Sequence, residues 1–399
     1  MSSSKGSFQL MKSLNRSLIL NVIRQEKQIS RAEIAKKTRL TPPTVTNIVN
    51  ELLEVGLVKE STMGVSKGGR KPILLTIDEK HSYIVGVDVG GHKLRAILTD
   101  LNGNNLVHYS QELPKNLTND FFLRVLTDAI DKVLADSQIP INKVIGIGVG
   151  MHGIVDSEKG ISIFAPNFQL EQIPIKKHIE RNFSLPVIVE NDARAFALGE
   201  KWFGQGLEHS TIMCVNVGVG IGAGIILDGK LYRGHNSLAG EIGHTMIDIN
   251  GKLCTCGNEG CLQTVVGGDR LIERTIEKLK KGQNSILQNN KNLTGYDIHQ
   301  AAIQNDPLAV EVLRETGTYL GIALTNFIHL FNPSRIIIGG GVANSGDFIM
   351  KPLIHCVKER ALTIEAKSTE IVRSNLGEYG TAIGAVTLIL ETIFAVKDD

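Results

Sequence analysis

Cysteine is scarce, five residues in 399, and three of the five crowd into the stretch CTCGNEGC at 254–261. That distribution excludes a disulfide framework. Three is an odd number, and Cys254 and Cys256 are too close in sequence to pair without strain. Apolar runs of membrane-spanning length are also lacking. The first apolar patch, around Leu18, Val22 and Ile23, is broken by Asn21 and Arg24, which does not suit a signal peptide. Free thiols without a secretion signal lead us to expect a cytoplasmic protein with no membrane partner. The thiol cluster then reads as a metal clip, but C-x-C-x4-C offers three ligands where zinc takes four.

The length suggests two or three domains. Apolar residues are ample for large cores, and the 41 glycines cluster where strands are expected to end. A formal net charge of +2 hides an asymmetry. Through residue 75 the chain carries 13 Lys/Arg against 5 Glu, or +8, which leaves −6 for the remainder. A patterned basic head on a mildly acidic body points to nucleic acid as a partner.

The head, residues 1–77, has the pattern of a winged helix-turn-helix. Over 14–26, Leu14, Leu18 and Val22, with Ile19 and Ile23 beside them, form one helical stripe. Ser30 and Glu33 make a capping box for a short helix through Lys37, Arg39-Leu40 makes the turn, and Thr41-Pro42 starts a third helix. The core face of that helix is Val45, Ile48, Val49 and Leu52. Thr44, Thr46, Asn47 and Asn50 then fall on its exposed side, where short hydroxyl and amide groups can reach base edges of double-stranded operator DNA. Two β-like runs follow around the basic loop TMGVSKGGRKP, a wing whose Arg70 and Lys71 suit phosphates and a narrow minor groove; Arg31 completes the expected DNA contacts.

From Tyr83 strands and helices alternate. The unit YIVGVDVGGHKLRAILTDLNGNNL has a counterpart at 211–232, TIMCVNVGVGIGAGIILDGKLY, so two lobes each open with strand, glycine turn and strand. Gly90 and Gly91, with Lys93, and Gly218 and Gly220 would let backbone N–H groups approach phosphate oxygens. Gly340, in a third cluster after Ile336–Ile338, would border a nucleotide. Glycine turns alone are weak evidence for phosphate binding.

Over essentially its whole length the chain resembles the ROK family of repressors, open reading frames and sugar kinases. The segment GEIGHT at 240–245, followed by CTCGNEGC, carries the likeness most specifically. The front half matches the repressor branch, which includes regulators responding to xylose or N-acetylglucosamine. The resemblance implies a duplicated ribonuclease-H/actin-like, hexokinase-type α/β fold, with one lobe over 78–195, a second over 196–399, and the last helix packing back on the first. It supplies His244 as the fourth ligand of a structural zinc beside Cys254, Cys256 and Cys261. It also assigns sugar binding to Asn167 of APN, Asn191 and Asp192 of VENDARA, and Glu241 and His244. In kinases of the family the carboxylate matching Asp192 is the general base; its alternative reading here is a helix N-cap.

Two departures stand out. Family kinases read D-x-G-G-T-K where this chain has His92 before Lys93, and the family's C-x-E ends here in Gln263. A bulky imidazole beside the phosphates and the loss of an acid weigh against phosphoryl transfer. The implied function is a sugar-responsive repressor of carbohydrate genes, acting as a homodimer or dimer of dimers. Lobe closure on sugar would reset the spacing of its DNA heads. Its alternatives are a sugar kinase using ATP and Mg with Asp192 as base, or a DNA-binding scaffold answering to a protein.

Overall fold

The computed structural model describes residues 3–63, 72–114 and 117–394. Arg70 and Lys71 lie outside the described residues. In the head, helices Ser3–Glu26, Arg31–Thr38 and Pro42–Glu54 precede the antiparallel strands Val58–Met63 and Ile73–Ile77 of the wing. The expected caps are present. Ser30 and Glu33 bond reciprocally, Arg39 takes the left-handed turn, and Thr41 caps a helix with proline in its first turn.

The first helix differs from the expected stripe. Leu14 and Leu18 remain 44% and 42% exposed, while Ile19, Leu20, Ile23 and Ser17 are buried. This helix is sandwiched between the head and the body, so its buried face includes a serine that a hydrophobic pattern cannot flag.

The body holds two five-stranded sheets of the same topology. In the first, Tyr83–Val89 pairs antiparallel with Lys93–Asp100, which pairs with Asn105–Glu112. On its other side come the parallel strands Val144–Met151 and Val187–Asn191. In the second, Ile212–Val217 takes the same place between Ile221–Leu227, then Lys230–Tyr232, and parallel Arg335–Gly339, then Glu370–Arg373. The duplication read from the glycine turns is therefore a duplicated sheet order, the ribonuclease-H/actin-like arrangement. The central strands are apolar apart from Asp88 and Asn216 near their ends, because both faces are covered.

Two helices cross between the sheets. Ala193 and Ala197 of Asp192–Phe203 pack on Gly222 and Gly224 of the second sheet, so this helix runs across the expected lobe boundary at 195. Ala382 and Ala385 of Gly380–Phe394 pack on Gly86 and Gly148 of the first sheet. The two helices touch backbone to backbone. A Cβ on Gly384 would fall 1.7 Å from the Ala195 carbonyl oxygen.

Candidate functional site

Three groups of candidate residues can be built upward from this frame. The first is the exposed face of helix Pro42–Glu54. Val45, Ile48, Val49 and Leu52 are buried at helical spacing, which leaves Thr46, Asn47 and Asn50 exposed and Thr44 half-buried. Thr46 donates its hydroxyl to the Pro42 carbonyl at 2.9 Å, and the Thr44 and Thr41 hydroxyls lie 2.9 Å apart. Asn47 and Asn50 therefore present the longer-reaching amides. Arg31 pairs with Glu60 of the wing at 3.3 Å, an exposed contact that a phosphate could exchange with.

The second group is a metal-binding arrangement. One ligand atom each from His244, Cys254, Cys256 and Cys261 lies within 4.8 Å of the other three. Cys254 Sγ is 3.7 Å from His244 Nδ1, and Cys256 Sγ is 3.7 Å from Cys261 Sγ. Tetrahedral zinc with bonds of about 2.3 Å to sulfur places ligand atoms roughly 3.6–3.8 Å apart. The donor set and its spacing fit. The loop carrying the thiols is laced by backbone bonds, with Cys254 N donating to Asn258 O at 2.7 Å and Leu262 N to Thr245 O at 2.9 Å. Gly260 has φ +70° and its Cβ position falls 1.5 Å from the Asp248 carbonyl oxygen, so no other residue fits there.

The third group lines a cleft of about 1120 Å³ between the sheets. Asn167, Asn191, Asp192, Glu241 and His244 all line it, with Asn191 at the end of strand Val187–Asn191. Asn191, not Asp192, is the N-cap of its helix. Its side-chain oxygen accepts from Ala193 N at 3.0 Å and Arg194 N at 3.1 Å, and its amide donates to the Gly153 carbonyl at 3.0 Å. That amide is committed, whereas Asp192, the first helical residue, accepts from Ala193 N at 2.9 Å through one oxygen. Burial pushes the Asp192 carboxyl up to about 6, offset by the Ala193 N–H and reinforced by Glu241. Burial also raises Glu241, with Arg194 opposing.

Behind this end, Glu190 is fully buried and holds Arg194 Nε at 2.9 Å and Arg233 Nε at 2.7 Å, while Ser157 donates to it at 2.8 Å. It fixes the strand end that presents Asn191 and Asp192. Sequence reasoning passed over His152, which is buried beside the cleft and donates through Nδ1 to the Val89 carbonyl at 3.1 Å. Burial holds it down near 4, so it stays a neutral ring. A histidine in the glycine-rich run after a strand is its one sequence signal.

The glycine-rich end differs from expectation. Gly90, Gly91, Lys93, Gly218, Gly220 and Gly340 all line the cleft. Gly90 N, however, donates to Lys93 O at 3.0 Å and Gly218 N to Gly220 O at 2.9 Å, so both amides are spent within their turns. His92 is exposed and also lines the cleft. Arg95, the cross-strand neighbour of Asp88, lines it as well. Its Nη1 lies 3.2 Å from the Asp88 carboxylate and its Nε 3.3 Å from Glu378. Asp88 is 7% exposed, and burial pushes it up to about 7 despite Arg95.

Residues 84–392 match the ROK family and residues 13–59 a winged helix-turn-helix DNA-binding family. The xylose repressor of Bacillus subtilis strain 168 is 34% identical over 384 residues, 96% of each chain. A crystallised ROK family transcriptional regulator, a homologue of the Escherichia coli MLC protein, superposes with a TM-score of 0.84. It is 31% identical, over 96% of this chain and 97% of that one. The Streptomyces griseus ROK family glucokinase, in complex with glucose and AMPPNP, gives a TM-score of 0.71 at 31% identity. It covers 77% of this chain and 99% of its own. No described helix is long and apolar enough to cross a membrane.

Proposed function

The chain belongs to the ROK family, and from that premise we propose that it is a sugar-responsive transcriptional repressor. Its head binds double-stranded operator DNA in the cytoplasm, and a sugar enters the cleft at Asp192, Glu241 and His244. The observation that carries this reading is the continuity of the core. Ile23, Val49 and Leu75 of the head share one buried cluster with Ile84, Trp202 and Leu390 of the body. A head built into the core of a ligand cleft can feel that cleft; a head on a loose linker cannot.

The Asn167 amide can both donate to and accept from vicinal hydroxyls, and the carboxylates of Asp192 and Glu241 accept from them, the chemistry of a monosaccharide. Zinc suits the cluster that His244 forms with the three thiols. Through Nδ1 it would fix the ring so that Nε2 is offered to the ligand. Two heads in a homodimer, or a dimer of dimers, would match a two-fold operator.

Thermal shift against free and phosphorylated sugars tests the reading, because a ligand raises the melting temperature by mass action. If no sugar moves the melting temperature, the sensor reading fails. DNA binding gives a second check. Asn47→Ala should weaken operator binding by about 1–3 kcal/mol while leaving non-specific DNA binding nearly unchanged. Alanine at both Arg70 and Lys71 should instead lower the salt slope by roughly one to two units; fluorescence anisotropy across a salt series separates the two effects.

The cleft also makes a pH prediction. Sugar affinity should fall below pH 6, to about a tenth of its plateau at pH 5, as Asp192 protonates and loses its acceptor charge. The sign for stability is opposite. A carboxyl whose folded pKa lies above its unfolded value stabilises the fold more as pH falls. Weaker binding at pH 5 with an undiminished melting temperature is the expected pair of results in calorimetry.

A second reading, an ATP-dependent sugar kinase, rests on Asp192. Its carboxyl near 6 is suited to a general base. The Arg95–Asp88 pair favours the sensor instead, because it occupies the carboxylate nearest the glycine turns.

A further inference from the structure

The first helix of the head is held from two directions. At its end, the Arg24 guanidinium carbon lies 3.8 Å from the centroid of the Trp202 ring, and Trp202 meets Phe394 edge-on at 5.5 Å. One turn and two turns earlier, Asn21 donates to the Phe394 carbonyl at 3.0 Å and the Ser17 hydroxyl donates to the same oxygen. Arg24 Nε is buried with no hydrogen-bond partner, so the ring face is what this cation has gained by leaving water. Burial lowers Arg24 to about 10, with Glu391 opposing, so it is charged at neutral pH.

Trp202 and Phe394 end the two crossing helices. Helix Asp192–Phe203 starts in the cleft, where its first residue is Asp192; Ala193 and Ala197 in its near half pack closely on Gly222 and Gly224 of the second sheet, and Ala195 more loosely on Gly150 of the first. Its far end, about 17 Å away, enters the cluster shared by the first lobe and the head. Helix Gly380–Phe394 rides on the first sheet. The linker also joins the head to the first lobe, through Lys59 on Asp78 at 3.2 Å and on Glu79 at 2.7 Å. Most of the head's attachments therefore follow the first lobe. The Trp202 contact follows a lever whose other end moves with the second.

Gly199, Gly380 and Gly384 bring the two helices backbone to backbone, and the side chains flanking that contact are few, chiefly the Phe196 ring on Gly380 and Leu388 beside it. Lobe rotation is then a slide and tilt of one helix along the other. Such a motion carries Trp202 relative to Phe394, and the first helix of the head cannot keep both contacts unchanged.

We infer that Arg24 and Trp202 are positioning residues for DNA binding: their stack transmits the cleft's conformation to the helix-turn-helix. This rests on the sugar-responsive reading and adds the contact through which it acts. Neither residue lines the cleft. Each acts through the helix that bears it.

The test uses the full chain, a duplex selected from a random pool by the wild type, and D-xylose, D-glucose and N-acetylglucosamine, the hexoses also as 6-phosphates. Two quantities are measured: the thermal shift given by the sugar, and the ratio of DNA affinities with and without it. Arg24→Met keeps the length of the side chain and removes the charge. It should keep the sugar's thermal shift while the affinity ratio collapses to within about twofold of one, a loss of most of a coupling that is ordinarily 5–150-fold. Arg24→Lys and Trp202→Phe, which keep a cation on a ring, should restore much of the ratio.

Trp202 is the single tryptophan, so its emission reports this contact directly. Sugar should change the emission in the wild type and still do so in Arg24→Met, where Trp202 moves but DNA affinity no longer follows it. A full affinity ratio in Arg24→Met overturns the inference and leaves the stack as simple packing. A wild type indifferent to every sugar removes the sensor reading, and this inference with it. A responsive wild type with an equally responsive variant removes only the coupling contact.

Discussion

Cys256→Ser is expected to leave the protein without zinc and to weaken sugar binding on the order of 10-fold or more, by analogy with the cost of disturbing the groups that orient a metal-bound histidine. Cys256 is the exposed member of the cluster, so the substitution removes a ligand without opening a buried cavity. The effect on sugar is indirect. His244 and Glu241 lie in one short turn, Glu241–Thr245, anchored by His244 N to Glu241 O at 3.2 Å and Leu262 N to Thr245 O at 2.9 Å. With the metal lost, three side chains no longer hold His244 Nδ1, and its ring is free to rotate away from the cleft. Elemental analysis and sugar titration of wild type and variant, each before and after chelator, check this. A wild type purified without chelator and free of zinc sinks the metal assignment. A zinc-free variant with normal sugar affinity sinks the link between the two sites.

How much of this was legible in the sequence varies with the range of the interaction. The helix-turn-helix was readable because its signals are local. Ser30 with Glu33 and Thr41 with Pro42 each specify a helix start within four residues, and both appear as expected. The duplicated sheets were readable because glycine turns punctuate buried strands in both copies. The metal cluster was half legible. Three ligands lie within eight residues, but His244 is ten residues upstream of the first thiol and needed the resemblance to be found.

What pattern reading missed is set by tertiary contact. The face of the first helix was misjudged because the body buries Ser17 and stacks on Arg24. Asp192 was given the capping role that Asn191 holds, since either side chain can cap and only the local backbone decides. His92 was expected to obstruct the phosphates because it departs from the kinase pattern. Arg95 lines the same cleft, and only the cross-strand register places it beside Asp88.

That register gives the last expectation. The wild type should not consume ATP with the sugar identified by thermal shift. Asp192→Asn should then cost roughly 1–3 kcal/mol of sugar affinity, the value of one weakened acceptor to a hydroxyl, with no turnover to lose. A kinase would behave otherwise, losing about 10²–10⁴-fold in turnover when its base is removed. The structural reason for expecting the first result is Arg95. A metal-bound phosphate approaching the turns at Gly90 and Gly218 needs an unpaired acid, and Asp88 is the buried one nearest the first turn, already facing a guanidinium at 3.2 Å. Both turn amides are bonded internally as well. His92→Thr should therefore remain inactive, because it leaves the Arg95–Asp88 pair in place. Arg95→Ala should free Asp88, and any ATP consumption should appear there first and vanish again in Arg95→Ala with Asp192→Asn. Robust wild-type turnover abolished by Asp192→Asn alone would make the protein a kinase and overturn the sensor reading. Measured as ADP released per protomer, the two outcomes differ by orders of magnitude.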